Sequence, residues 1–550
     1  MGAIHYYEKE RVFKLDTPHT SYLIGIVDEE KFLGHIYYGA KITDYDVRAL
    51  MRTGEAPFVP SQNNRDRSSF LDAFPMEYPG HGVGDYRESA ISVSDKNGNT
   101  AVQPLYREHK IYAGKPGLPG LPATFGSEEE CETLEIVLAD EVLDLTVTLY
   151  YTAFYDVDVI TRSVRVTNHA KEPVYLTKVF STALDLDAED YRMLTLHGSW
   201  ARERQIEYRQ IGYGKQSVGS CRGESSHQEH PFVALVSANA GQEQGRVYGF
   251  HFVYSGNFLA QVEKNQFDSL RVVLGIHPQD FKWELKQDET FTAPEVVMTY
   301  SDAGLGRMTR TLHDLYRKHL IRSPYKDRER PVLINNWEAT YFDFDTEKLL
   351  AIAREAKKSG IEMLVMDDGW FGHRNDDNTS LGDWQVNEQK ITGGLKRLVD
   401  QVNEIGLKFG IWFEPEMISP DSELYRTHPD WAIALPGRMP CRSRNQYVLD
   451  LSRKEVRDYA YECVASILRS ANIAYVKWDM NRQLTDLGSG VLPVEKQGEL
   501  LHRYVLGVYE LQERLITEFP QLLLENCSGG GARFDPGMLY YSPQIWCSDD

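Results

Sequence analysis

Leu143, Leu145, Val147 and Leu149 alternate with polar neighbours in LDLTVTLYYTAFYDVDVITRSVRVTNHAKEPV. Val157, Val159, Val164 and Val166 take up the same pattern before the turn-like NHAKEP. A period of two predicts antiparallel strands with one face in water. Similar short runs recur at Thr20–Val27, Arg246–Val253 and Leu270–Ile276, separated by Gly, Asn, Asp and Pro. Residues 1–300 therefore read as an N-terminal antiparallel β-sandwich domain.

Near residue 300 the period lengthens. Met308, Leu312, Leu315, Tyr316 and Leu320 fall on one helical face, which predicts a linker helix within 301–328. Over 329–550 short apolar strands then alternate with amphipathic helices. The strands are VLINNW, EMLVMDDGW, LKFGIWFEPE, YVLD, AYVKWD, LLLENC and PQIWCSDD; the helices are Glu347–Ser359, Leu395–Ile405, Val456–Ser470 and Gln497–Glu518. This alternation predicts a parallel sheet, and the count fits a TIM-type β/α barrel. It falls one short of eight, and the sequence stops at Asp550 within a strand end. The expectation is a multidomain protein whose barrel is truncated before its last unit.

Composition narrows the partners. A net charge of -21 argues against nucleic acid and anionic membranes, both of which need a basic surface, and suits a neutral small molecule. The 6 Cys are scattered without a CxxC pair, so neither a zinc site nor a disulfide framework is expected. The N-terminal MGAIHYYEKE has no apolar core of a signal peptide, and no run reaches membrane-spanning length. A cytoplasmic protein without metal or other cofactor is the expectation.

Active sites of such barrels lie at the C-terminal ends of the strands. Here those ends carry Trp337, Asp367 and Asp368, Trp412 and Glu414, Asp450, Lys477 and Asp479, Cys527, and Asp549 with Asp550. This is a ring of carboxylates with Trp and one Lys, and it has no metal-ligand spacing and no HExxH, GxSxG or Walker loop. Paired carboxylates suit glycoside cleavage: one attacks the anomeric carbon while a protonated partner donates to the leaving oxygen. Along a strand Lys477 points to the side of Asp479 and would keep it ionised, as a nucleophile requires. The SDD end has no cation nearby in sequence and follows the bulky Trp546, which suits an acid with a raised pKa. On residues alone Glu414 is a rival nucleophile. Asp450 reads as a structural tie for the next loop, and His373 and His428 as loop and cap residues.

These residues also carry a resemblance. KWDMNR (477–482), LVMDDGWFG (364–372), FEPEM (413–417), RNQYVLDLS (444–452), ENCSGGGARFDPGMLYY (525–541) and WCSDD (546–550) resemble glycoside hydrolase family 36, the bacterial α-galactosidase branch. The resemblance implies Asp479 as nucleophile and an Asp of the SDD end, Asp549 or else Asp550, as acid/base. It implies that Asp367 and Asp368 bind galactose hydroxyls, and that Arg444, Lys477, Trp478, Asn481, Cys527 and Gly529 contribute to the same pocket. Trp337 and Trp412 would wall the apolar sugar face, and Trp200 of HGSW would reach in from the sandwich domain.

The implied function is a retaining α-galactosidase that removes terminal galactose from oligosaccharides such as melibiose and raffinose. A homo-oligomer, a tetramer by resemblance, is implied as well. A raffinose-synthase-like galactosyl transferase and an α-N-acetylgalactosaminidase share the same machinery, and a non-catalytic galactoside-binding protein stays open from another class.

Overall fold

The computed structural model describes residues 2–27, 29–43, 51 and 71–550. The N-terminal half is built from antiparallel sheets, one of four strands, one of six and one of ten. The four-stranded sheet runs in sequence order through Ile4–Tyr7, Val12–Asp16, Thr20–Val27 and Phe32–Ala40. In the ten-stranded sheet Leu145–Phe154 pairs antiparallel with both Cys131–Asp140 and Val159–Asn168.

The predicted alternation holds at the start of Leu145–Phe154, where Leu145, Val147 and Leu149 are buried and Thr146 and Thr148 are not. It fails from Tyr150 onward, where every residue is buried, so this part of the sheet is covered on both faces, while Cys131–Asp140 beside it keeps the alternation. The reason is the helix Gly304–His319. Its Met308, Leu312, Leu315 and Tyr316 pack against Phe154, Val157, Val159 and Val247 on the second face of that sheet.

The C-terminal half holds six parallel strands in sequence order: Leu333–Asn335, Met363–Met366, Lys408–Phe413, Tyr475–Trp478, Leu523–Asn526 and Gln544–Ile545. Helices Thr346–Lys358, Leu395–Ile405, Lys454–Ser470, Leu500–Glu518 and Pro536–Leu539 fall between them. Local chemistry sets the helix ends. The Asp345 carboxylate accepts the Lys348 N–H at 2.8 Å and caps the first helix. Gly406, at φ 91°, closes the second in the left-handed conformation that glycine adopts without strain.

The parallel sheet has six strands rather than seven, because YVLD is not one of them. Tyr447–Val448 instead pairs antiparallel with Met417–Ile418. Arg444 and Asn445, at φ 48° and 58°, reverse the chain just before it. The segment thus turns back over the strand ends, and Lys408–Phe413 pairs directly with Tyr475–Trp478.

Candidate active site

Strand Tyr475–Trp478 sorts its side chains by alternation. Trp478 turns into the core, where its indole N–H donates to Glu416 Oε1 at 2.7 Å. Lys477 and Asp479 turn the other way, into a cavity of about 610 Å³ at the C-terminal ends of the parallel strands. The size is that of a small-molecule site. Asp367, Asp368, Trp337, Trp412, Arg444, Asn481, Cys527, Trp200, Asp549 and Asp550 line the same cavity, with Asn335, Glu338, Trp546 and Ser548. Gly529 lines an adjoining cavity of about 380 Å³ that shares Trp200, Arg444, Asn481 and Asp549 with the first. Trp478 reaches neither cavity. Pleating sends it to the opposite face from its two neighbours.

Asp479 is buried and fully engaged. Its Oδ2 accepts from Asn481 Nδ2 at 2.8 Å and from Trp412 Nε1 at 3.1 Å. Its Oδ1 accepts from the Met480 N–H at 2.9 Å and faces the Gly529 N–H at 3.4 Å. Burial pushes the pKa up, but Lys477, Asn481, Arg444 and Trp412 outweigh it and hold the carboxyl below its ordinary value. Trp412 aims its donor accurately because its ring is fixed from behind, near-parallel to Phe371 at 6.3 Å and close to Trp384 at 6.1 Å.

The adjacent pair Asp367 and Asp368 divides its work. Asp367 Oδ2 accepts from Asn335 Nδ2 at 2.5 Å and meets Lys477 Nζ at 3.1 Å. Asp368 is gripped by the Arg374 guanidinium, with Nη2 at 2.9 Å and Nε at 3.0 Å. Burial lifts the pKa of Asp368 despite that partner. Glu414 stands behind the nucleophile candidate rather than in the cavity. Its Oε1 accepts the Asn481 N–H and the Gln446 side-chain N–H, both at 2.6 Å. Burial first, then the charge of Asp479, pushes its pKa up to about 7. The Cys527 thiol, buried and close to Asp479 and Asp549, is driven well above the usual thiol value. Asp450 accepts from Ser452 Oγ and Ser489 Oγ, both at 2.5 Å, and so ties two loops together.

The two acids of the SDD end part company. Asp549 accepts two indole N–H bonds, from Trp200 at 2.9 Å and from Trp546 at 3.0 Å. Asp550, largely exposed, pairs instead with Arg202 at 3.0 Å. The sequence shows no cation beside this end; the fold supplies one from the N-terminal half. That half supplies more. Glu224 Oε2 accepts from Ser528 Oγ at 2.9 Å, and the His227 ring lies 2.6 Å from the Gly529 carbonyl. Sequence reasoning missed Arg374, Glu203, Arg204, Glu224 and His227. Arg374 follows the DDGWFG motif closely enough to have been suspected. The others carry no local signal.

Residues 290–550 match the family model described as Melibiase, and residues 31–286 the Glycosyl hydrolase family 36 N-terminal domain. The chain is 51% identical to Alpha-galactosidase AgaA of Geobacillus stearothermophilus over 550 residues, covering 100% of this chain and 75% of the relative. It is 47% identical to Alpha-galactosidase Mel36A of Lactobacillus acidophilus, with 100% and 75% covered. Among solved structures, the GH36 α-galactosidase AgaB of Geobacillus stearothermophilus superposes with a TM-score of 0.97 at 51% identity, over 100% of this chain and 75% of that one. A variant of AgaA in complex with raffinose gives 0.96 at 51% identity, over 98% and 75%.

Proposed function

This chain belongs to glycoside hydrolase family 36, and from that premise we propose that it is a retaining α-galactosidase. It removes terminal non-reducing α-D-galactose from small oligosaccharides; the raffinose complex of a relative supports that substrate class. The observation that carries the reading is one cavity bounded by Asp479, held ionised, and by Asp549, which comes from a different strand end.

The Asp479 carboxylate attacks the anomeric carbon while Asp549 gives its proton to the glycosidic oxygen, and the bond to the departing sugar breaks. A galactosyl ester on Asp479 results. Asp549, now ionised, takes a proton from water as that water attacks the same carbon and frees Asp479, so configuration is retained. Asp549 is held in the cavity by two indole N–H bonds, whereas Asp550 is committed to an ion pair with Arg202; that placement supports Asp549 as the acid/base. Asp367 and Asp368 read the galactose hydroxyls, because charge-assisted hydrogen bonds penalise an epimer that leaves them unpaired. Arg444, Lys477, Asn481, Cys527 and Gly529 complete the floor, and Trp337 and Trp200 the walls.

The parallel sheet is then an arc of a TIM-type barrel. The chain divides at residues 1–300, 301–328 and 329–550 into sandwich, linker helix and barrel. A cytoplasmic setting is supported by six free cysteines, and a homo-oligomer by the family resemblance. Proton NMR of the first sugar released from p-nitrophenyl α-galactoside tests the proposal: α-galactose is expected. Release of β-galactose first, or unchanged turnover in Asp479→Ala, overturns it. Supplying sucrose as acceptor separates hydrolysis from galactosyl transfer.

A further inference from the structure

Two charged residues of the N-terminal half stitch together the two loops that flank the cavity. Glu203 Oε1 accepts the Gly531 N–H at 3.2 Å, and its Oε2 accepts the Ser548 hydroxyl at 2.6 Å. Next to it, Arg204 donates to the Gly531 carbonyl at 2.8 Å and to the Cys547 carbonyl. Its guanidinium lies over the Phe534 ring, 4.6 Å from the centroid. Each residue therefore bonds both the loop after strand Leu523–Asn526 and the segment after strand Gln544–Ile545. The first loop carries Gly529, whose N–H faces Asp479. The second carries Asp549.

Two further observations show that this junction is built rather than incidental. Ala201 and Arg204 hold φ of 55° and 56°, a left-handed conformation that non-glycine residues keep only where the surroundings enforce it. At Gly531 a Cβ would stand 2.1 Å from the Cys547 carbonyl oxygen and 2.2 Å from Arg204 Nη2, so only glycine admits the three-way contact. Arg204 is also partly desolvated, which makes its two carbonyl bonds costly to lose.

We propose that Glu203 and Arg204 are positioning residues for the glycosidic step: by clamping the main chain at Gly531, Cys547 and Ser548 they set the reach of Asp549 to the leaving oxygen. This rests on the reading of Asp549 as the acid. A misplaced acid harms departure of a poor leaving group far more than departure of a good one, whereas general loosening harms both alike. The test is kcat/KM on melibiose and on p-nitrophenyl α-galactoside for Arg204→Met, Glu203→Gln and Asp549→Ala.

Arg204→Met is expected to lose about 10–100-fold on melibiose, the scale of an ångström-sized misplacement, and less than about threefold on the aryl substrate. Arg204→Lys keeps the charge but not the two-carbonyl fork; it should show the same selectivity in smaller measure, and it serves if the Met variant does not fold. Equal losses on both substrates, or no loss, overturn the clamp. If Asp549→Ala is itself unselective the acid assignment falls; if only Asp549→Ala is selective, the clamp alone falls.

Discussion

Lys477 reaches under the strand between them to meet Asp367 at 3.1 Å, and the same ammonium is the strongest influence holding Asp479 ionised. One cation thus serves two carboxylates, one assigned to the sugar hydroxyls and one to the anomeric carbon. In return the carboxylates of Asp367 and Asp479 keep Lys477 protonated against the cost of its burial.

Lys477→Met leaves both carboxylates without that partner. Stability is expected to fall by about 3–5 kcal/mol, the usual result of orphaning one member of a buried pair. The acid limb of kcat/KM should move to higher pH, because the pKa of Asp479 is no longer held down. Urea unfolding and a pH–rate profile measure the two effects. An unmoved acid limb would show that Lys477 does not tune the nucleophile.

Glu414 offers the opposite sign. Its pKa in the folded protein is raised from 4.5 to about 7. The stabilisation that goes with carrying a proton is complete below about 4.5 and lost as pH rises through about 7. Glu414→Gln cannot ionise. Relative to the parent it should gain stability between pH 5 and pH 8.5, by up to about 3 kcal/mol. Unfolding midpoints of both proteins at the two pH values decide it, and parallel pH dependence sinks the idea.

Acid lability should come from buried histidines in the first instance. His251 and His502 are pushed down by burial to about 3 each. Their contribution is present above the unfolded value near 6.5 and is lost as pH falls toward 3. Below 6.5 each should cost about 1.4 kcal/mol per pH unit. His502 sits among Tyr254, Trp283 and Phe291, and its ring meets the Tyr254 hydroxyl at 2.8 Å. Replacing it with Gln should remove a visible share of the slope of stability between pH 6.5 and pH 5. An unchanged slope refutes the attribution.

Strong periodicity was readable in advance. Strand Thr20–Val27 and helix Leu395–Ile405 have the bounds that the pattern predicts, because each buries a continuous apolar face. The pleat argument for Lys477 and Asp479 also held, since alternation is a property of the strand itself. The same alternation turns Trp478 away from both cavities. YVLD misled because hydropathy cannot register two left-handed residues, Arg444 and Asn445, immediately before it. Arg374 and Arg204 read as ordinary surface charges. Their meaning lies in partners brought close by the fold, and for Arg204 those partners are more than 300 positions away.

The hydrogen bond between Trp200 and Asp549 joins residues 349 positions apart. Contacts so remote in sequence form late, because the long intervening loop must close before they repay its entropy. During synthesis the first half can complete its sheets while the pocket still lacks its acid. Catalytic competence is therefore expected to arrive only when the two halves dock, so recovery of activity on refolding should lag behind recovery of β-structure.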